Sequence, residues 1–388
     1  MSLPQRTRVF VTTSHISCLY MVFHARATHV EGDRDVLLID IGTRSADVVR
    51  AVMKAAELHD WALIHSFSEE VAPGHRFEPS VRKRLTRKWK ELPVLSWVYR
   101  TMLALFEKRR DAFLATKVKA LLDPLIGDSS RFEVFGLTQT HLNKLITQLY
   151  PAASPSFLEH GLGDYHYIEQ NGKLTGPLFA LFAKGFKNYL VRKGIDASGV
   201  EPLRIPPDFR SIADHQISKL AAGSASGPER TDRPIVLILL EAVDMYEVPE
   251  AFWSAYIDHV LSTLDDPGRY HFLLKPHPIA SAVSLEATQA HCRERGVSFT
   301  LLDEPWQKGI AAEVLFALWA DRTEHVFCLF SSACFYLSQL FPDPRIVYHY
   351  STDFMDKWTG NAPPMYKRHF ESLKPLIKEV FAERCQPY

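Results

Sequence analysis

Glu159-His160-Gly161 is the first place where residue types and spacing could do chemistry. The triplet follows a short apolar run, and Gly161 and Gly163 let the backbone turn sharply after it. A carboxylate at the end of a strand can take a proton from a hydroxyl, provided it comes within hydrogen-bond reach. A polar turn or a helix start would use the same residues. Lys275-Pro276-His277-Pro278 is the second place. Proline restricts itself and the residue before it, so His277 is held in an extended or turn conformation. An imidazole placed in this way can donate to a phosphate or protonate a leaving group. Ser331-Ser332 is the third, between an apolar run and an apolar helix, Cys334 to Leu340. Serine is a common N-cap for structural reasons alone. The same position offers free backbone N–H groups, the positive end of a helix dipole and two hydroxyls, which suit an anion. Glu313, at the start of another helical stretch, could pair with ribose hydroxyls or simply be an acid favoured in a first helical turn.

Other chemistries are missing. There is no HExxH, no clustered Cys/His, no GxGxxG, no GxxxxGK[ST] and no GxSxG. Asp33-Arg-Asp35 has DxD spacing but precedes a strand, so it should lie at the wrong end of a sheet for ligand binding. The five cysteines show no CxxC spacing, and buried reduced thiols are expected.

The elements that must position these residues read as two α/β halves. In the first, Val9–Thr12, Val36–Ile41, Ala62–His65, Arg131–Gly136 and Pro155–Glu159 read as short buried strands, separated by helical stretches such as Ser45–Leu58 and Thr140–Leu149. In the second, Pro234–Leu240, Tyr270–Lys275, Val297–Leu302, His325–Phe330 and Arg345–Tyr348 read likewise. Buried strands alternating with helices imply parallel sheets. Ligands in such sheets bind at the carboxyl ends of the strands, where each candidate above is found. Between the halves, about 199–233, Pro, Gly and Ser are dense and a linker is expected.

The chain has 388 residues, 46% hydrophobic and 23% charged, with 45 Lys+Arg against 45 Asp+Glu. This is globular composition for about two domains, and its neutrality argues against nucleic acid as a partner. The charge is unevenly spread. Residues 81–120 hold twelve Lys/Arg and three acids, a net +9, interleaved with Trp89, Trp97, Tyr99 and Phe106. Such a helical insertion would suit an anionic glycan or an anionic membrane face. A solvated helix face over an apolar stripe is the alternative. No run reaches the length of a membrane span and Met1–Thr13 has no signal-peptide layout, so a cytoplasmic protein is expected, with peripheral contact at the inner membrane open to it.

Taken in order, Glu159-His-Gly161, His277-Pro278, Glu313 and Ser331-Ser332 resemble the motif set of bacterial GT-B sialyltransferases. The layout is most similar to that of capsular polysialyltransferases, then lipooligosaccharide sialyltransferases. The resemblance spans most of the chain in layout and about ten residues in motif. It implies a GT-B fold, two Rossmann-like domains facing a central cleft. It also implies inverting, metal-independent transfer of a nonulosonic acid from a CMP-activated donor to a glycan hydroxyl, with no cofactor. By motif, Glu159 would be the general base and His277 would assist CMP departure. Lys275, Pro278, Ser331 and Ser332 would bind the donor and Glu313 its ribose. Gly161, with Arg82, Arg84 and Lys88 of the basic segment, would meet the acceptor. His160 departs from the pattern, which has a second acid there.

The domains expected on this basis are 1–205, with the insertion at about 80–126, a linker at 206–232, and 233–365. A final helix, about 366–388, would return to the first domain. Two other functions fit the same motifs: transfer from CMP-Kdo or another CMP-sugar, and a catalytically silent glycan- or nucleotide-binding subunit.

Overall fold

The computed structural model describes residues 6–40, 46–67, 93–127, 131–138, 140–222, 231–241, 251–278, 280–359 and, near the end of the chain, 371, 374, 375, 377, 386 and 387. Arg82, Arg84 and Lys88 lie outside these residues, as do Cys385 and most of the expected final helix.

Two parallel sheets organise the chain. The first has seven strands in the order β3-β2-β1-β4-β5-β6-β7: β1 (Arg6–Thr12), β2 (Arg34–Ile39), β3 (Leu63–Ser66), β4 (Arg131–Gly136), β5 (Ser154–Leu158), β6 (Leu178–Ala180) and β7 (Val200–Pro202). The second has six in the order β10-β9-β8-β11-β12-β13: β8 (Ile235–Leu240), β9 (His271–Pro276), β10 (Phe299–Leu301), β11 (Thr323–Cys328), β12 (Val347–Tyr350) and β13 (Gln386–Pro387). In each sheet the chain winds outward from the first strand and then reverses, which is the doubly wound pattern. The strand order reverses beside β1 and β4 in one sheet, and beside β8 and β11 in the other.

The residues explain the strands. β8, Ile-Val-Leu-Ile-Leu-Leu, is buried at every position, because helices cover both faces of a parallel sheet. Val236, Ile238 and Leu240 pack with Phe252, Tyr256, Phe272, Leu274 and Phe327 in one core. Val9, Val11, Val36, Leu38 and Val134 form a separate core. Helix Pro93–Ile126 lays Val118 and Leu122 on that core. This end of the helix thus packs apolar side chains on the core, as the alternative reading of the basic insertion has it.

Contacts divide the chain into two units. One comprises 1–13, 28–44 and 60–157. The other comprises 14–27, 45–59 and 158–388. Every described candidate site residue falls in the second unit.

Two features differ from the sequence reading. β6 and β7 are three residues each, too short to show an apolar period. Helix Phe209–Ala221 occupies part of the stretch read as a linker. Its Phe209, Ile212, Ala213, Ile217 and Leu220 are buried at helical spacing, and the flanking prolines and glycines mask that pattern. The DxD acids are also engaged internally. Asp33 accepts from Arg6 at 3.0 Å, and Asp35 accepts from the fully buried Arg8 through both oxygens at 2.6 Å. Among the described residues no helix is long and apolar enough to cross a membrane, and Cys18, Cys292, Cys328 and Cys334 are free and buried.

Candidate functional site

β5 ends at Leu158, and the chain turns through Glu159, His160 and Gly161 into helix Leu162–Asn171. Glu159 is 1% exposed. Its Oε2 accepts the Leu181 N–H at 2.9 Å, while Oε1 has no hydrogen-bond partner among the described residues. Burial, then the nearby charge of Asp164, pushes this carboxyl up to about 7. The hydroxyls of Tyr165 and Tyr336 and the Leu181 N–H oppose that rise. A buried carboxyl poised near neutrality can exchange a proton at physiological pH.

Asp164, fully buried one helical turn along, organises the same loop. Its Oδ2 accepts the His160 backbone N–H at 2.7 Å and lies 3.1 Å from the His160 Nδ1. A carboxylate on Nδ1 fixes the orientation of an imidazole. Asp164 thus sets a buried carboxylate beside the His160 ring.

Gly161 brings this loop to the serine pair. A Cβ on Gly161 would lie 2.9 Å from the Ser332 Oγ. Ser331 is the N-cap of helix Ser332–Leu340, and its Oγ accepts the Ala333 N–H at 3.2 Å. The backbone N–H groups just before the helix, a set distinct from those at its N-terminus, are already engaged. Glu241, the residue after β8, sends one oxygen into the loop. That Oε1 accepts the N–H groups of Leu329, Phe330 and Ser331, each at 2.8 Å. The side-chain hydroxyls are then the donors this loop can offer a ligand, together with the backbone beyond Ser331. Glu241 is 7% exposed, its Oε2 has no partner among the described residues, and burial pushes it up to about 7 despite the three N–H groups.

A second buried group lies around Lys275 and Glu313. Glu313, on helix Ala312–Phe316, is 4% exposed, and burial raises it to about 7 against the pull of its own backbone N–H and of Lys275. Lys275, near the end of β9, is 6% exposed; burial lowers it to about 8, with Glu313 opposing. Tyr20 links the two groups: burial, then the charges of Glu313 and of Glu159, raises its hydroxyl well above the ordinary range. Its ring meets that of Tyr336 edge-on, with centroids 6.1 Å apart. The hydroxyls of Tyr20, Tyr165 and Tyr336 and the Glu159 Oε1 are all buried without a partner among the described residues. Polar groups left in that condition concentrate at sites that receive water or ligand.

His277 and Pro278 are exposed. The His277 N–H donates to the Leu240 carbonyl at 2.7 Å and its carbonyl accepts from Ala280 at 2.9 Å, so the expected turn is formed. The structure thus brings Gly161, two residues from Glu159, against Ser332, and couples Lys275 with Glu313 electrostatically. Sequence reading missed Asp164, Glu241 and Tyr20. Asp164 and Glu241 had a signal: Glu241 is an acid just after a strand end, and Asp164 an acid in a first helical turn. Tyr20 had none, because helix His15–Thr28 is apolar around most of its circumference.

No protein family and no curated protein matches the sequence. Solved structures do resemble the fold. S. aureus MnaA in complex with UDP matches at a TM-score of 0.50 and 9% identity, over 89% of this chain and 79% of that one. A UDP-GlcNAc 2-epimerase from Neisseria meningitidis bound to UDP-GlcNAc matches at a TM-score of 0.47 and 10% identity, over 83% and 77%. A sialyltransferase from Photobacterium damsela matches at 0.47 and 11%, over 100% and 82%. At these identities the likeness concerns the fold.

Proposed function

We infer the function from a two-sheet α/β architecture of the GT-B class, the fold expected from the motifs. We propose that the chain is a glycosyltransferase that moves a nonulosonic acid from a CMP-activated donor to a hydroxyl of a cell-surface glycan, with inversion and without a metal. The observation that carries this reading is the close approach of Gly161 to Ser332, which brings the Glu159 loop to the start of the serine helix. A proton acceptor and a pair of phosphate donors belong together in such a transfer.

In this reading Glu159 takes the proton of the acceptor hydroxyl as it attacks the anomeric carbon. The Ser331 and Ser332 hydroxyls and the His277 imidazole hold the phosphate as the bond to CMP breaks. Glu313 holds the ribose. CMP leaves as a stable phosphate anion, so hydrogen bonds to the developing charge can carry the departure. The basic segment containing Arg82, Arg84 and Lys88 offers an anionic glycan or a membrane surface a landing site.

One observation favours a second assignment of the base within this loop. The His160 side chain is 33% exposed and is paired with buried Asp164, whereas Glu159 is 1% exposed. An imidazole oriented by a carboxylate is also a competent general base.

The test is a screen of CMP-sialic acid, CMP-Kdo and related donors against glycan acceptors, scoring CMP release and product. Transfer from CMP-sialic acid supports the proposal. Transfer from CMP-Kdo alone moves it to that sugar. Release of CMP from none of the donors points instead to the binding subunit.

A further inference from the structure

We propose that Arg233, Arg322 and Arg345 line a second binding site, remote from the Glu159 and serine loops, that takes an oxyanion of the phosphate or carboxylate class. The inference goes beyond the transferase reading and stands whether or not that reading holds.

The site is a cavity of about 310 Å³ in the second contact unit. It lies at the amino ends of β8, β11 and β12, which are neighbours in the second sheet. Arg233 comes two residues before β8 and Arg345 two residues before β12. Arg322 closes a short 3₁₀ turn, Ala320–Arg322, immediately before β11. Neighbouring parallel strands start at the same edge of a sheet, so three positions distant in sequence converge on one rim. Glu241 and Ser331 follow the carboxyl ends of β8 and β11, at the opposite edge. The six residues of β11, at about 3.3 Å each, put roughly 20 Å between the two places.

Three acids share the lining, Asp232, Asp321 and Glu324, and two of them are committed elsewhere. Asp321 is held by Arg210 through both oxygens, at 2.8 and 2.5 Å. The Glu324 Oε2 accepts from Arg269, and from the Tyr270 hydroxyl at 3.1 Å. The arginines are less occupied. Arg345 gives its Nε and one terminal nitrogen to Asp343, which leaves the other terminal nitrogen unused. The guanidiniums of Arg233 and Arg322 have no hydrogen bond or ion pair among the described residues. Arg322 is also half-buried, so it has given up part of its water without gaining an acceptor. Asp232, exposed, is the one lining acid left uncommitted among the described residues.

The chemistry of the ligand follows from these groups. A guanidinium donates through five N–H groups and accepts nothing. Its planar fork matches the paired oxygens of a phosphate or a carboxylate. A metal cation would be repelled by the same charges. The volume is at the lower end of ligand pockets, roughly 300–1,000 Å³, so it suits a small phosphorylated molecule or a short run of an acidic glycan.

The experiment is calorimetric titration of the full chain with two probes, pyrophosphate and a sialic acid dimer, at low salt. We expect saturable binding of at least one probe, weakened at least roughly tenfold in Arg322→Gln, as for a lost charged hydrogen bond. Arg233→Gln should weaken it by a comparable factor. Arg204→Gln, which removes an exposed charge outside the cavity, should leave the affinity as in wild type. Asp232→Asn should tighten binding, because it removes a like charge beside the anion. Binding of pyrophosphate alone assigns a phosphate, binding of the dimer alone a carboxylate, and binding of both the shared class. No saturable binding of either probe overturns the proposal. Equal affinity in folded wild type, Arg322→Gln and Arg233→Gln overturns it as well. So does a loss in Arg204→Gln as large as that in Arg322→Gln, which would show a diffuse effect of charge. Binding that falls in Ser332→Ala but not in Arg322→Gln puts the anion on the serine loop and also overturns it. Thermal melting establishes that each variant is folded.

Discussion

A methyl group on Gly161 would come within 2.9 Å of the Ser332 hydroxyl oxygen, so the loop after β5 and the helix after β11 meet with no room to spare. Gly161→Ala should cost about 1–3 kcal/mol of stability if Ser332 cannot turn away, and less if it can. In either case the hydroxyl moves, and nucleotide affinity should fall. Adding Ser332→Ala should recover the melting temperature but not the affinity. Calorimetric titration with CMP and thermal melting separate the two effects.

The base can be identified from the pH profile. Glu159, raised to about 7, is active only when ionised, so kcat should rise with pH and level off above that value. Glu159→Gln should lose roughly 10²–10⁴ in kcat with little change in donor affinity. Asp164→Asn removes the second cause of the raised carboxyl, so the rising limb should move to lower pH. If His160 is the base, His160→Ala takes the large loss instead, and Asp164→Asn lowers kcat at every pH.

Glu241 offers a stability test independent of catalysis. Its carboxyl is raised from 4.5 to about 7 in the folded protein, so the folded state holds its proton more tightly than the unfolded chain does. The associated stability is present below about 4.5 and is lost as pH rises through about 7. Glu241→Gln keeps an oxygen for the three N–H groups and removes the buried charge. Its melting temperature should exceed that of wild type at pH 8, and the gap should close at pH 5. Glu241→Ala leaves three buried N–H groups unmet and should melt lower at both.

The basic segment should respond to salt. Replacing Arg82, Lys83, Arg84, Arg87 and Lys88 with Gln should weaken binding to an anionic glycan or to vesicles containing anionic lipid. The wild-type affinity should itself fall steeply as ionic strength increases. Unchanged vesicle and glycan binding in the variant would show that the charge is a solvated face.

Much of the architecture is legible in the residues, and for a physical reason. Central strands of a parallel sheet are buried on both faces, so runs such as Ile235–Leu240 stand out by composition. β6 and β7 have three residues each and leave no such trace. The site divides along similar lines. Glu159, Glu313, Ser331 and Ser332 could be picked out because strand ends and helix starts are visible in one dimension. Glu241 is also at a strand end, yet its role depends on the loop after β11, some ninety residues on. Tyr20 is read only in three dimensions, since an apolar helix hides which residues point inward and at what. The +9 window is legible as charge, but Arg82, Arg84 and Lys88 fall outside the described residues.

The carboxylate of Glu241 has a consequence for how this chain could change over time. It occupies the backbone donors of residues 329–331, so the shape of that loop is held by the protein's own carboxylate and needs no ligand to satisfy it. Platform and address are then separate inheritances. If the proposed site is right, exchange of the hydroxyl at 332, which caps nothing among the described residues, can redirect it to a new ligand without remaking the loop, whereas Ser331 is tied to the helix cap.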